Sequence, residues 1–102
     1  MTVLVIERHT SADCPANNTE HRKATLEAAV KLDELAKRHE VNMIGAWNVH
    51  AEHLGVQVFE APSLEAFQAF SMEPEIVKVN NYKTNEVKLA TTFKETVEHM
   101  LE

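Results

Sequence analysis

A single cysteine in 102 residues leaves no internal disulfide to staple the chain, so Cys14 is read as belonging to a reducing, cytoplasmic setting. No apolar run approaches the roughly 20 residues that a membrane-spanning helix needs. The opening stretch Met1 to Ile6 is apolar but short and has no basic segment before it, so it reads as a strand and not as a secretory leader. Basic residues are few. Ten Lys and Arg stand against 16 Asp and Glu, and the net charge of -6 repels polyphosphates and anionic bilayers. Neither nucleic acid nor a membrane surface is therefore an expected partner. No repeat relates one half of the sequence to the other.

The remaining composition is that of a folded globular chain, and at this length one domain over residues 1–102 is expected. Val3 to Ile6 is continuously apolar and β-branched, the pattern of a strand covered on both faces, and strand one is placed at residues 2–9. Glu7, Arg8 and His9 end it in a polar cluster, and residues 10–18 form a loop around Cys14-Pro15. Asn17 with Glu20 resembles a capping box before twenty residues free of Gly and Pro, which predicts a helix of about five turns. Ala28, Ala29, Leu32, Leu35 and Ala36 supply its buried face. His39 near its end is assigned to the helix dipole, and His21 and His99 to the surface.

Residues 41–49 and 54–60 read as two strands of a hairpin, with His50 and His53 at its lips and Trp47 inside it. Ser63 is an N-cap for a second helix that carries Phe67 and Phe70 into the core and is interrupted at Pro74. Asn80-Asn81 marks a turn, and residues 82–90 alternate as a last strand. Thr92 and Glu95 form another capping box, and Phe93, Val97, Met100 and Leu101 give a terminal helix one apolar stripe by which it is expected to dock. The order is strand, helix, strand, strand, helix, strand, then a further helix: a doubled βαβ unit.

This order, together with the strand-to-helix junction Phe59-Glu60-Ala61-Pro62-Ser63-Leu64-Glu65-Ala66, resembles the dimeric α/β-barrel superfamily over nearly the whole chain. The resemblance implies an α+β, ferredoxin-like βαββαβ fold with a four-stranded antiparallel sheet in the order 4-1-3-2. It also implies a homodimer that pairs two sheets face to face, and a pocket. The superfamily includes cofactor-independent monooxygenases, lactone isomerases, haem proteins and small nickel-binding proteins, so it narrows architecture more than activity.

In that topology Arg8, His9, Cys14, the turn from His50 to His53, and Tyr82 gather at one end of the sheet, while Glu60 falls at the other. If Ala51-Glu52 is a two-residue turn, His50 and His53 oppose each other with Cβ atoms about 5 Å apart and can ligate one ion. His9 is a candidate third ligand and Cys14 or Glu52 a fourth, for zinc, nickel, copper or iron. Against this, histidines at a hairpin lip are often merely solvated, and Cys14 before a proline is often a small buried hydrophobe. Arg8 is a candidate clamp for an anionic group, with Cys14, Trp47 and Tyr82 as further ligand contacts, although aromatics such as Trp47 and Tyr82 are more often part of the core than platforms for a substrate. Three functions follow: binding of a metal ion or small anionic ligand at the histidine rim, cofactor-independent catalysis on a small organic molecule, or a non-catalytic interaction module.

Overall fold

Strand β1 (Thr2–Arg8) lies in the interior of the sheet, with a paired strand on each edge, and its apolar run alternates between a buried and a half-buried face. In the computed structural model, which describes all 102 residues, it pairs antiparallel with β3 (Leu54–Glu60) on one edge and β4 (Thr84–Ala90) on the other. An outer strand, β2 (Asn42–Val49), pairs with β3, which gives the order β2-β3-β1-β4. This is the expected four-stranded antiparallel sheet in a ferredoxin-like arrangement. Helix α1 (Thr19–Arg38) and the short helices α2 (Leu64–Ser71) and α3 (Pro74–Asn80) cover one face, and α4 (Phe93–Met100) ends the chain. No helix is long and apolar enough to cross a membrane.

The caps follow their side-chain chemistry. Ser63 accepts from the Ala66 amide, and Thr92 from the Glu95 amide, as the sequence predicts. Pro74 opens α3 at its first turn, where a missing N–H costs nothing. The α1 cap is Asn18 and not Asn17: Asn18 Oδ1 accepts from the His21 amide, while Asn17 donates its side-chain amide to the Ser11 carbonyl and closes the preceding loop. His39 caps the helix end with its backbone, but its ring is paired with Glu73 at 3.0 Å, which corrects the assignment of that ring to the dipole.

Alternation along β1 sorts the two faces. Val3, Val5 and Glu7 turn towards the helices, where Val3 and Val5 join Leu35, Phe59, Phe67 and Phe70 in the core. Leu4 and Ile6 turn the other way. The register places them beside Val58 and Val56, with Trp47 next to Val56 on the outer strand. No helix covers this second face: Trp47 is 59% exposed, with Ile44 and Val49 exposed beside it. The α4 stripe is also uncovered, since no residue of that helix is buried and Phe93 is 82% exposed. The expected docking of α4 therefore does not occur within one chain. The pattern identifies a face that avoids water, not the surface that receives it.

Glu7 is buried in the face that contacts the helices, and its cross-strand neighbour is Gly55. A Cβ at residue 55 would lie 2.6 Å from Glu7 Oε1 and 2.8 Å from its Cγ, so the missing side chain makes room for the carboxylate. Gly55→Ala is expected to destabilise the fold by about 1–3 kcal/mol through this overlap. Most of that loss should disappear in a Glu7→Ala background, measured by urea unfolding of the two single variants and the double variant. Equal losses in both backgrounds would contradict the steric account.

Candidate functional site

The rim of the sheet at the end of β1 is built by backbone pairing that outlasts the strand. The His9 amide donates to the His53 carbonyl at 3.2 Å, one step beyond the last β1–β3 pair, Arg8 with Leu54. His53 reaches this place because the hairpin connection is longer than a two-residue turn. The ladder closes at Val49 opposite Leu54, residues 50–52 make a single 3-10 turn, and His53 takes left-handed backbone angles (φ 50, ψ 43). Histidine is among the residues that tolerate this region. The expectation that His50 and His53 oppose each other across the strands is thereby corrected, and the physical reason is the one given by turn chemistry: Ala-Glu lacks the positive-φ residues a two-residue hairpin requires.

The pair that forms is His9 with His53, whose rings meet edge to face at 5.2 Å between centroids. Cys14 joins them from the loop before α1. One ligand atom from each of His9, Cys14 and His53 lies within 4.8 Å of the others, and all three side chains are half-buried. His50 and Glu52 are exposed and are not part of this group.

Cys14 is held by a network the sequence does not announce. Its amide donates to the Ser11 carbonyl, and its own carbonyl accepts from the Asn17 and Asn18 amides. The Arg22 guanidinium reaches back from α1 to the carbonyls of Pro15 and Ala16. His21, expected at the surface, is buried beneath this loop. Its Nδ1 donates to the Asp13 carbonyl at 2.7 Å, and its ring stacks on Tyr82 at 3.4 Å between centroids. A polar ring can be buried here because one nitrogen is satisfied and one face is covered by an aromatic neighbour.

The other candidate residues divide by face. Tyr82 belongs to the His21 stack, and with Arg8 and His9 it lines a shallow cleft beside the start of β4. Arg8 points its guanidinium at Glu86 on the open side of the sheet, not at Glu7 or Glu52. Trp47 stands on that same open side, on the outer strand, with its ring over Gly45. Glu60 holds the amino terminus and the Thr2 hydroxyl at the far end of the sheet, which separates it from the rim as expected.

Two polar residues at the rim were not singled out by sequence reasoning. Glu7 accepts from Lys83 Nζ at 3.1 Å and from the Gln57 amide at 3.2 Å, a buried pair inside the layer between sheet and helices. Period-two alternation from Val3 through Val5 carried the signal, since the next inward position is Glu7. Burial is the largest cause that holds the His9 imidazolium pKa below its ordinary value of 6.5. Electrostatic repulsion from neighbouring His53 and Lys83 acts in the same direction, and Glu7 and Asp13 oppose it. Both effects favour the neutral imidazole, the form in which histidine ligates a metal.

No family model matches the chain, and no curated protein matches it. Among solved structures it is similar to the crystal structure of a structural-genomics protein from Agrobacterium tumefaciens, with 14% sequence identity and a TM-score of 0.51. The likeness covers 91% of this chain and 96% of that one. It speaks for the fold, and it agrees with the ferredoxin-like topology described above.

Because the unfolded chain binds the His9 proton more tightly than the folded one does, the His9 contribution to stability is fully present above pH 6.5 and is lost as the pH drops through and below that value. Urea unfolding of the metal-free protein should therefore show a loss of stability on acidification from pH 7.5 to 5 that is smaller in His9→Phe. A His9 ring that titrates by NMR at or above 6.5 would contradict this.

Proposed function

We propose that this chain binds one transition-metal ion through His9, Cys14 and His53, and that it works as a homodimer paired through the open face of its sheet. His9 carries the metal reading. Both of its ring nitrogens are buried, and neither has a hydrogen-bond partner. A buried polar group left this way costs about 1–3 kcal/mol, which a metal bond at one nitrogen offsets.

The donor set agrees. Two imidazoles and a thiolate suit zinc, nickel, copper or iron, and not magnesium or calcium, which take oxygen ligands. In a tetrahedral zinc site such donors stand about 3.4–3.6 Å apart, given ordinary Zn–N and Zn–S bond lengths. The present limit of 4.8 Å is wider by about an ångström, within reach of small side-chain rotations. Three protein donors leave a fourth position for water or a small anion.

The homodimer reading rests on surface left uncovered. Only 14 of 102 residues are buried, and the open face carries Leu4, Ile6, Val56 and Val58 half-buried beside exposed Trp47. A second copy of the same face would cover this patch, as in the dimeric α/β-barrel superfamily that the sequence resembles. The uncovered α4 stripe supports the same reading.

Titration of untagged protein with cobalt(II) is expected to saturate at one ion per chain with a thiolate-to-cobalt charge-transfer band. Cys14→Ser should abolish the band. His9→Ala and His53→Ala should weaken binding by more than the about 10–100-fold that loss of an outer-shell partner costs, while His50→Ala leaves it unchanged. Absence of the band, or an equal loss in His50→Ala, would contradict the proposal. For the dimer, light scattering should give twice the chain mass of 11.5 kDa, reduced to a single chain by Trp47→Lys. A monomer at all concentrations would contradict that half of the reading.

A further inference from the structure

Between the sheet and its helices lies a cavity of about 210 Å³ that neither the metal reading nor the dimer uses. Val5, Leu32, Met43, Phe59, Phe67 and Ile76 form most of its apolar wall. One end is polar, with Glu7, Gln57, Lys83 and Asn85. Protein interiors are ordinarily filled to the density of organic crystals, so an opening of this size in a chain with so small a core is a departure that a bound molecule would remove.

The polar end states what it would accept. The charges of Glu7 and Lys83 cancel across a 3.1 Å ion pair with both side chains nearly enclosed. A charged ligand would therefore enter the buried layer without a counter-ion, at a cost of several kcal/mol. Beside this pair, Asn85 Oδ1 is buried and has no hydrogen-bond partner. The register sets Asn85 directly across from Glu7, on the same face of the sheet. An unpaired buried acceptor is matched by a ligand N–H or O–H, and the Glu7 carboxylate keeps acceptor capacity after serving Lys83 and Gln57. The volume lies below the roughly 300–1,000 Å³ of pockets for drug-sized ligands, which limits the occupant to one or two rings or a short alkyl chain.

We infer that this cavity binds a small, neutral, largely apolar molecule through a hydroxyl or phenol head that donates to Asn85 Oδ1, with its apolar body against Phe59, Phe67 and Met43. The inference does not depend on the metal site.

The test uses three probes of nearly one shape on the whole chain, in the presence of a chelator so that the rim plays no part. 2-Naphthol has the donor head, naphthalene has none, and 2-naphthoate carries a charge. The methyl NMR signals of Leu32, Met43 and Ile76 should shift saturably with 2-naphthol. Its affinity should exceed that for naphthalene by about tenfold, the value of one net hydrogen bond of about 1.4 kcal/mol, and 2-naphthoate should bind least. Asn85→Leu should erase the preference for 2-naphthol over naphthalene. The wild-type ranking stands as a test by itself if that variant does not fold. Three outcomes would each overturn the inference: no shift at these methyls with any probe, equal affinity for 2-naphthol and naphthalene, or tightest binding of 2-naphthoate.

Discussion

The rim site depends on one backbone hydrogen bond, from the His9 amide to the His53 carbonyl. It extends the central β1–β3 ladder by a single residue past the end of the strands and so fixes two imidazoles side by side. Strand β1 is paired along its full length on both sides, so the position of His9 is set by the most constrained part of the sheet. His53 is placed by a left-handed backbone conformation just before β3 begins. Two rigid backbone decisions, not flexible side chains, bring the rings to 5.2 Å. Sites built on the ends of regular elements hold their geometry better than sites on free loops.

Cys14 does come from a loop, but that loop is tied at several points. Asn18 caps α1, which puts His21 in the first helical turn, and His21 then binds the Asp13 carbonyl beneath the loop while Tyr82 covers its ring. The same residues that start the helix thus fasten the segment that presents the thiol. On the inner side, Glu7 stands two residues before His9 and is neutralised by Lys83, which also lies close enough to His9 to influence its charge. The rim and the polar end of the inner cavity are joined through Glu7 and Lys83.

Much of the architecture was legible in the sequence because it rests on periodicity and local capping. Ser63 and Thr92 announced helix starts, and Pro74 announced the break between α2 and α3, whereas the apolar run Val3 to Ile6 announced a strand covered on both faces and within one chain only the Val3–Val5 face is buried. What sequence left hidden depends on long-range contact. His21 looks like a surface residue because nothing local shows that Tyr82, 61 residues later, covers it. The stripe on α4 reported only that a face is apolar, and within one chain nothing receives it. At the rim, spacing in sequence favoured His50 with His53, whereas the three-residue 3-10 turn moves His50 out and leaves His53 to meet His9. In sequence Glu7 is simply the polar end of a strand. Its inward position follows from alternation, but its tolerance follows from Gly55 and Lys83, which only the register reveals.

The metal reading gathers these features into one claim: a neutral, unpartnered His9 ring, a neighbouring His53 and a tethered Cys14 form a three-donor site of nitrogen and sulfur. X-ray absorption spectroscopy of the protein loaded with one equivalent of zinc tests it most directly. The account predicts a first shell of two imidazole nitrogens near 2.0–2.1 Å and one sulfur near 2.3 Å, with a light atom in the remaining position, by the usual zinc bond lengths. A first shell of oxygen and nitrogen with no sulfur, or one with no imidazole scattering, would contradict it.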